Sequence, residues 1–324
     1  ALAAAGTTTA LMYGAVFQPS LDAAFAAAEA HGIRAIIGKV MMDRGSYDDR
    51  LPPERILETS LRQSADLCAR WHLRDEGRLR YAFTPRFALS CSPEMLRESA
   101  ALARAADAYW QTHISEDLNE IAEVHRVFPD ALDYLDVYAR AGGLGPRTIL
   151  AHAIHLSERE VGRIRATDTA IAHCPASNRF LFSGSMPLSL YRQAGIRVGL
   201  GSDVSAGPEL SIFANMREGA YTQAVLGTLG AGLHPTLLTP LDWLRVGTYE
   251  GARALGLEGA IGSLEPGKEA DLVAIDPRLV APIPGLDSDE PEELMSRLVF
   301  RPHPEMVRAA WVRGRLLDGP PGPR

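Results

Sequence analysis

The chain has 324 residues, 46% of them hydrophobic and 23% charged, with a net charge of −7. That length suits one large α/β domain with a small appendage, or two ordinary domains, and the composition is that of a globular protein with an ample core. The acidic balance leaves no basic footprint for nucleic acid, no apolar run reaches the ~18 residues of a membrane span, and no signal peptide is visible.

Three widely spaced cysteines, Cys68, Cys91 and Cys174, include no Cys-x-x-Cys pair and point to a reducing cytoplasm rather than a disulfide framework. At the start, Ala1-Leu-Ala-Ala-Ala5 reads as the tail of a helix that ends before Gly6. Short β-rich runs then alternate with amphipathic stretches. Strands are predicted at 7–13, 34–40, 79–85, 109–114, 148–152, 170–174 and 197–201, and helices at 21–31, 53–71, 93–107, 119–127 and 157–165. Strands separated by helices pair in parallel through right-handed crossovers. Seven such strands are one short of a closed (β/α)8 barrel. An open doubly wound sheet alternates the same way, but it places a glycine-rich nucleotide loop after its first strand. Gly142-Gly-Leu-Gly145 follows a helix, so it reads as a C-cap and turn.

Helical patterns continue at 214–224 and 240–254, after which the pattern changes. A turn at Pro266-Gly-Lys268 leads to strands at 270–276 and 309–317, a small β layer outside the barrel. Residues 282–304 form a proline- and acid-rich excursion, and 319–324 read as a frayed tail. The expected division is a barrel over 1–268 and part of a small β domain over 269–324.

The segment His113-Ile-Ser-Glu116 ends a strand with a metal-type ligand and an acid, so the imidazole can reach a metal while the carboxylate moves protons. The competing reading is a buried histidine before a helix capped by Ser115, with Asp117 and Glu120 in its first turn. Asp203, after Gly199-Leu-Gly-Ser202, is either a ligand and proton acceptor or a cap of the next loop or helix. His152 ends another strand, as a water-orienting imidazole or a satisfied core histidine. His155, three residues on, is off that strand face and reads as a loop residue.

In His173-Cys174-Pro-Ala-Ser-Asn178, His173 faces the barrel mouth or its wall and Asn178 organises a loop. Cys174 lacks the base and orienting group of an activated nucleophile. Thr84-Pro-Arg-Phe87 sets a cation and a ring just past a strand end, which suits a planar heteroaromatic ligand, although Arg86 could equally form a surface salt bridge. Polar groups at the ends of several strands are how barrel active sites are assembled. No His-x-His pair occurs in the 324 residues.

From Gly6-Thr-Thr-Thr9 through Gly38-Lys-Val-Met-Met-Asp43, Thr84-Pro-Arg-Phe87, His113-Ile-Ser-Glu116, Ala172-His-Cys-Pro-Ala-Ser-Asn178 and Gly199-Leu-Gly-Ser-Asp203, the chain resembles the guanine deaminases of the amidohydrolase superfamily. The likeness runs from about residue 6 to 316. It implies a TIM-type (β/α)8 barrel with a small β-sandwich domain. It also implies one zinc ion per subunit, a cytoplasmic homodimer and hydrolysis of guanine to xanthine and ammonia. On that resemblance His113 and Asp203 are zinc ligands, Glu116 is the proton shuttle, His152 positions the water, and Arg86 and Phe87 hold the purine, with His113 and Glu116 also facing it. The other zinc deaminase signature, His-x-Glu with Pro-Cys-x-x-Cys, is absent; His303-Pro-Glu305 matches its first half alone.

The family's first strand, with its His-x-His ligands, has no counterpart here. The expected barrel therefore lacks a strand and two ligands, as in a fragment or a gene model begun late, or in a shortened and inactive chain. A related aminohydrolase acting on another purine, a pterin or a triazine is the enzymatic alternative.

Overall fold

The computed structural model describes residues 1–45, 52–229, 237–281 and 290–317. The chain divides into two compact units, Thr9–Ala170 and a second built from Ala1–Thr8 with Ile171–Arg324.

The first unit runs β1 (Thr9–Tyr13), α1 (Gln18–His31), β2 (Arg34–Gly38), β3 (Val40–Met41), α2 (Pro53–Trp71), β4 (Leu79–Pro85), α3 (Pro93–Ala105), β5 (Tyr109–Ile114), α4 (Leu118–Val127), α5 (Tyr134–Arg140), β6 (Thr148–His152) and α6 (Glu158–Ala166). Its strands pair in parallel in the order β1-β2-β4-β5-β6, with β3 on the end of β4. Every residue of β2 and of β6 is buried. Parallel strands covered on both faces show that pattern, and it is why apolar residues predominate within them.

Caps fix where the helices start. Ser92 accepts from the Met95 amide at the head of α3, and reciprocal capping boxes, Asp117 with Glu120 and Ser157 with Glu160, open α4 and α6. Beneath α1, the fully buried Phe25 ring stacks on Trp71, 5.2 Å between centroids and 7° from parallel. Arg78, also buried, donates to the carbonyls of Ala28, Glu29 and Ile33, which ties the C-terminal end of α1 to the sheet.

Three expectations change here. The predicted strand 34–40 breaks at Lys39 into β2 and β3. The cap of α4 is Asp117, because Ser115 sits at φ 47° and an N-cap needs extended backbone. Helix α5, implied only as the helix that Gly142 follows, was given no range, being only seven residues long. The C-cap reading of Gly142 holds: it follows α5 at φ 72°.

The second unit runs β7 (Ala170–His173), α7 (Pro175–Phe180), α8 (Leu188–Gln193), β8 (Arg197–Leu200), α9 (Ile212–Thr228), α10 (Pro240–Val246), α11 (Tyr249–Ala254), β9 (Leu272–Ile275), α12 (Pro291–Phe300), β10 (Val307–Val312) and β11 (Arg315–Leu316). At the N-terminus a short 3-10 turn, Ala3–Ala5, ends in Gly6 at φ 87°. Strands β9, β10 and β11 form an antiparallel sheet in the order β11-β10-β9. The predicted strand 309–317 is a hairpin, since Arg313 and Gly314 both adopt positive φ, the conformation of a tight two-residue turn. The predicted helix 240–254 divides at Thr248, whose φ −128° and ψ −92° are not helical. The excursion at 282–304 contains α12; its residues 282–289, like the tail at 319–324, lie outside the described residues. Among the described residues no helix is long and apolar enough to cross a membrane.

Candidate active site

Parallel pairing of β5 with β6 sets Ile114 opposite His152 and His113 opposite Ala151, so two imidazoles emerge at neighbouring strand ends. Their rings stack at 5.3 Å and 21°. The His113 Nδ1 atom lies 2.6 Å from the Arg86 carbonyl oxygen, which can only accept. Nδ1 therefore carries the proton, and the Nε2 lone pair is left for a metal or a substrate proton. Burial, with His152 alongside, pushes the His113 imidazole down to about 3 and so keeps it neutral. Tyr13, the last residue of β1, closes the other side of this ring at 4.6 Å.

Glu116 stands in the turn after β5, half-buried, its Oε2 3.6 Å from the Nε2 of the buried His152. The two groups face one another beyond direct hydrogen-bond range. Both strand ends turn through left-handed backbone, at Ser115 (φ 47°) and at His152 and Ala153 (φ 71° and 49°). Such conformations cost non-glycine residues free energy and persist where surrounding bonds hold them. Those bonds run from the Ile154 and His155 amides to the Ser115 carbonyl.

Behind the turn, Glu120 accepts from the Glu116 and Asp117 amides and from the Tyr134 hydroxyl, while the Tyr138 hydroxyl donates to the His113 carbonyl. Burial raises the Glu120 carboxyl above its usual range and pushes the Tyr138 phenol up further. Arg86 and Phe87 follow β4, the first exposed and the second half-buried, with the guanidinium 5.4 Å over the ring. His113, Glu116, His152, Arg86 and Phe87 thus gather around the ends of β4, β5 and β6. His155 is a half-buried loop residue, as expected.

In the second unit, Asp203 lies just beyond β8 at φ 50° and accepts from the Ser177 hydroxyl at 2.6 Å. His173 ends β7 fully buried, its carbonyl taking the Gly201 amide at 2.8 Å. Gly201 is required there, because a Cβ would meet the Cys174 sulfur at 2.8 Å. Asn178 is buried in α7, and its carbonyl accepts from Ser183 and Gly184, which bends the loop after the helix.

Sequence reasoning missed Tyr13, Tyr134 and Tyr138. The two tyrosines of α5 are four residues apart and so share a helix face, a signal legible only once that short helix is recognised.

A protein zinc site uses about four nitrogen, oxygen or sulfur donors, at least three of them side chains. Among the described residues no group of three or more His, Cys, Asp or Glu side chains is placed to hold a metal ion. The described residues do not make up a complete zinc site.

Strand-end histidines and carboxylates on a parallel α/β scaffold define a hydrolase of barrel type. The chain belongs to the amidohydrolase family, which it matches over residues 1–317. Within the family it is similar to guanine deaminases. It is 39% identical to the "probable guanine deaminase" of Deinococcus radiodurans, over 98% of this chain and 70% of that protein. The Escherichia coli guanine deaminase structure superposes with a TM-score of 0.90 at 36% identity, over 98% of this chain and 73% of that one. That of C. acetobutylicum, solved with guanine bound in its active site, gives 0.89 at 29% identity, over 97% and 73%. The TIM-type amidohydrolase fold expected from the sequence is therefore the fold of this chain. Proteins of the family commonly bind zinc.

Proposed function

We propose that the chain is a guanine deaminase, hydrolysing guanine to xanthine and ammonia. The observation that carries this reading is the cluster of His113, Glu116 and His152 at the ends of β5 and β6, beside the Arg86–Phe87 pair after β4. Phe87 packs on the purine plane and Arg86 donates to its acceptor atoms. Water adds to C2: Glu116 takes one of its protons and delivers it to the ring nitrogen, and the remaining proton, on the added hydroxyl, is then passed to the exocyclic amine as the C2 carbonyl forms. The C2–amine bond breaks and ammonia leaves. His152, facing Glu116, orients the water. Asp203, held by Ser177, is the second proton-accepting group.

One zinc per subunit is the proposed cofactor, with Nε2 of His113 and the Asp203 carboxylate as this chain's donors. When bound, such an ion acidifies water. The donor set is incomplete, so no step above runs through the metal. The proposal extends to a cytoplasmic homodimer, with a barrel over 1–268 and a small β domain over 269–324.

Incubating the full chain with guanine tests the reading: xanthine and ammonia in equal amounts support it. Turnover restricted to another purine, a pterin or a triazine in a parallel panel overturns the substrate. That no three-donor cluster is placed to hold a metal among the described residues favours one second reading, a folded chain that binds heterocycles without turning them over. Guanine binding without product or stoichiometric zinc would establish it.

A further inference from the structure

We propose that Glu120, Tyr134 and Tyr138 are positioning residues of this site, a half-buried carboxylate and two buried phenols whose hydrogen bonds grip the His113-Ile-Ser-Glu116 segment at both ends. The inference rests on reading that segment as the acid–base centre of a deaminase. Tyr134 is 1% exposed and Tyr138 is 0% exposed. A carboxylate only accepts, and Glu120 uses both of its oxygens. Oε1 takes the Tyr134 hydroxyl at 2.7 Å; Oε2 takes the Glu116 amide at 3.0 Å and the Asp117 amide at 3.4 Å. Tyr138 commits its one proton to the His113 carbonyl at 2.7 Å while accepting from the Ala88 amide at 3.0 Å and Thr112 Oγ1 at 3.3 Å. The two phenol oxygens are 3.4 Å apart.

Capping α4 requires only that Glu120 reach the cap residue's own amide. Here the shorter bond goes one residue further back, to Glu116 itself, and the other oxygen is held from a different helix. The segment between the two grips passes through left-handed backbone at Ser115. A turn of that kind stays in place only if its flanks are held, and in a buried setting water cannot substitute for a lost partner.

The test uses the full chain and two near-isosteric variants. Glu120→Met keeps the side chain's length and removes both carboxylate oxygens, so it holds neither the Tyr134 hydroxyl nor the Glu116 amide. Tyr138→Phe keeps the ring and releases the His113 carbonyl. For both, kcat on guanine falls at least about tenfold with KM within about threefold, the signature of lost alignment rather than lost binding. Amide exchange at Glu116 speeds by about tenfold or more while β2 amides stay protected, marking a local opening. Ser157→Ala, which weakens the cap of α6, lowers the melting temperature and leaves Glu116 exchange as in the wild type. Unchanged Glu116 exchange and kcat in the two variants overturn the proposal. So does faster exchange spread evenly over all core amides, which marks plain destabilisation. A wild-type chain that turns over no guanine defeats the functional reading instead, and Glu116 exchange alone then decides whether these side chains hold the segment.

Discussion

Gly38 ends β2 where the sheet admits no side chain, and Gly38→Ala puts a number on that constraint. A Cβ at this position falls 1.8 Å from Thr84 Oγ1 and 2.3 Å from the Ala82 carbonyl oxygen on β4. Thr84 can rotate away, but its hydroxyl donates to the Ala82 carbonyl and accepts from Gln111 Nε2, both at 2.9 Å. Losing those two bonds costs about 2 kcal/mol, at about 1 kcal/mol each. The Ala82 carbonyl is backbone and cannot rotate, so β2 and β4 must separate, an overpacking cost of about 1–3 kcal/mol.

The expected loss is therefore about 3–5 kcal/mol, read as a lower guanidinium midpoint by circular dichroism. Adding Thr84→Ala removes the nearer clash but also the same two hydrogen bonds, and it leaves the carbonyl clash, so the double variant recovers little of the stability. A Gly38→Ala protein within about 0.5 kcal/mol of wild type, the range of a neutral surface change, refutes the reasoning. Full recovery in the double variant would show that the backbone contact is harmless.

Glu116→Gln keeps the shape and removes the proton acceptor, so kcat for ammonia release should fall about 10²–10⁴-fold with a near-normal KM; a near-normal rate would exclude the shuttle role. Phe25→Ala empties a fully buried site stacked on Trp71 and should cost about 3–5 kcal/mol in chemical denaturation. His72 Nδ1 accepts from the Tyr81 amide at 3.1 Å, and burial, then Arg80 and Arg147, lowers its pKa from 6.5. Its folded-state pKa lies below the unfolded one, so its contribution is complete above 6.5. It is lost as pH falls from that value through the lower folded pKa, by at most about 1.4 kcal/mol per pH unit. Unfolding midpoints across this range should slope less in His72→Phe than in wild type; equal slopes would assign the pH dependence elsewhere.

The parallel strands were legible because burial on both faces favours apolar, aromatic and β-branched residues, and β4, β5 and β6 begin and end where the predicted strands do. Features decided by backbone conformation were not legible. Nothing in the residues of 309–317 separates a long strand from a hairpin until Arg313 is seen to share positive φ with Gly314. The same holds for Ser115, whose left-handed conformation, invisible in its side chain, hands the cap of α4 to Asp117. Helix α5 escaped because one or two turns carry too little periodicity to rise above their surroundings.

The candidate site divides along the same line. His113, Glu116 and His152 could be picked out as strand-end polar groups, since chemistry-bearing side chains there stand out against apolar strands. Which nitrogen of His113 is free could not be, because it depends on a carbonyl from a different strand end, that of Arg86. The Glu120 carboxylate was visible only as a helix-start acid. Its second oxygen, turned to Tyr134, acquires meaning once α5 is folded against α4. Side-chain type told which groups could do chemistry, whereas tautomer and aim are set by backbone acceptors and buried phenols distant in sequence. The grip on Glu116 is therefore the part of this site that only the folded chain discloses, and its removal should disturb alignment before it disturbs binding.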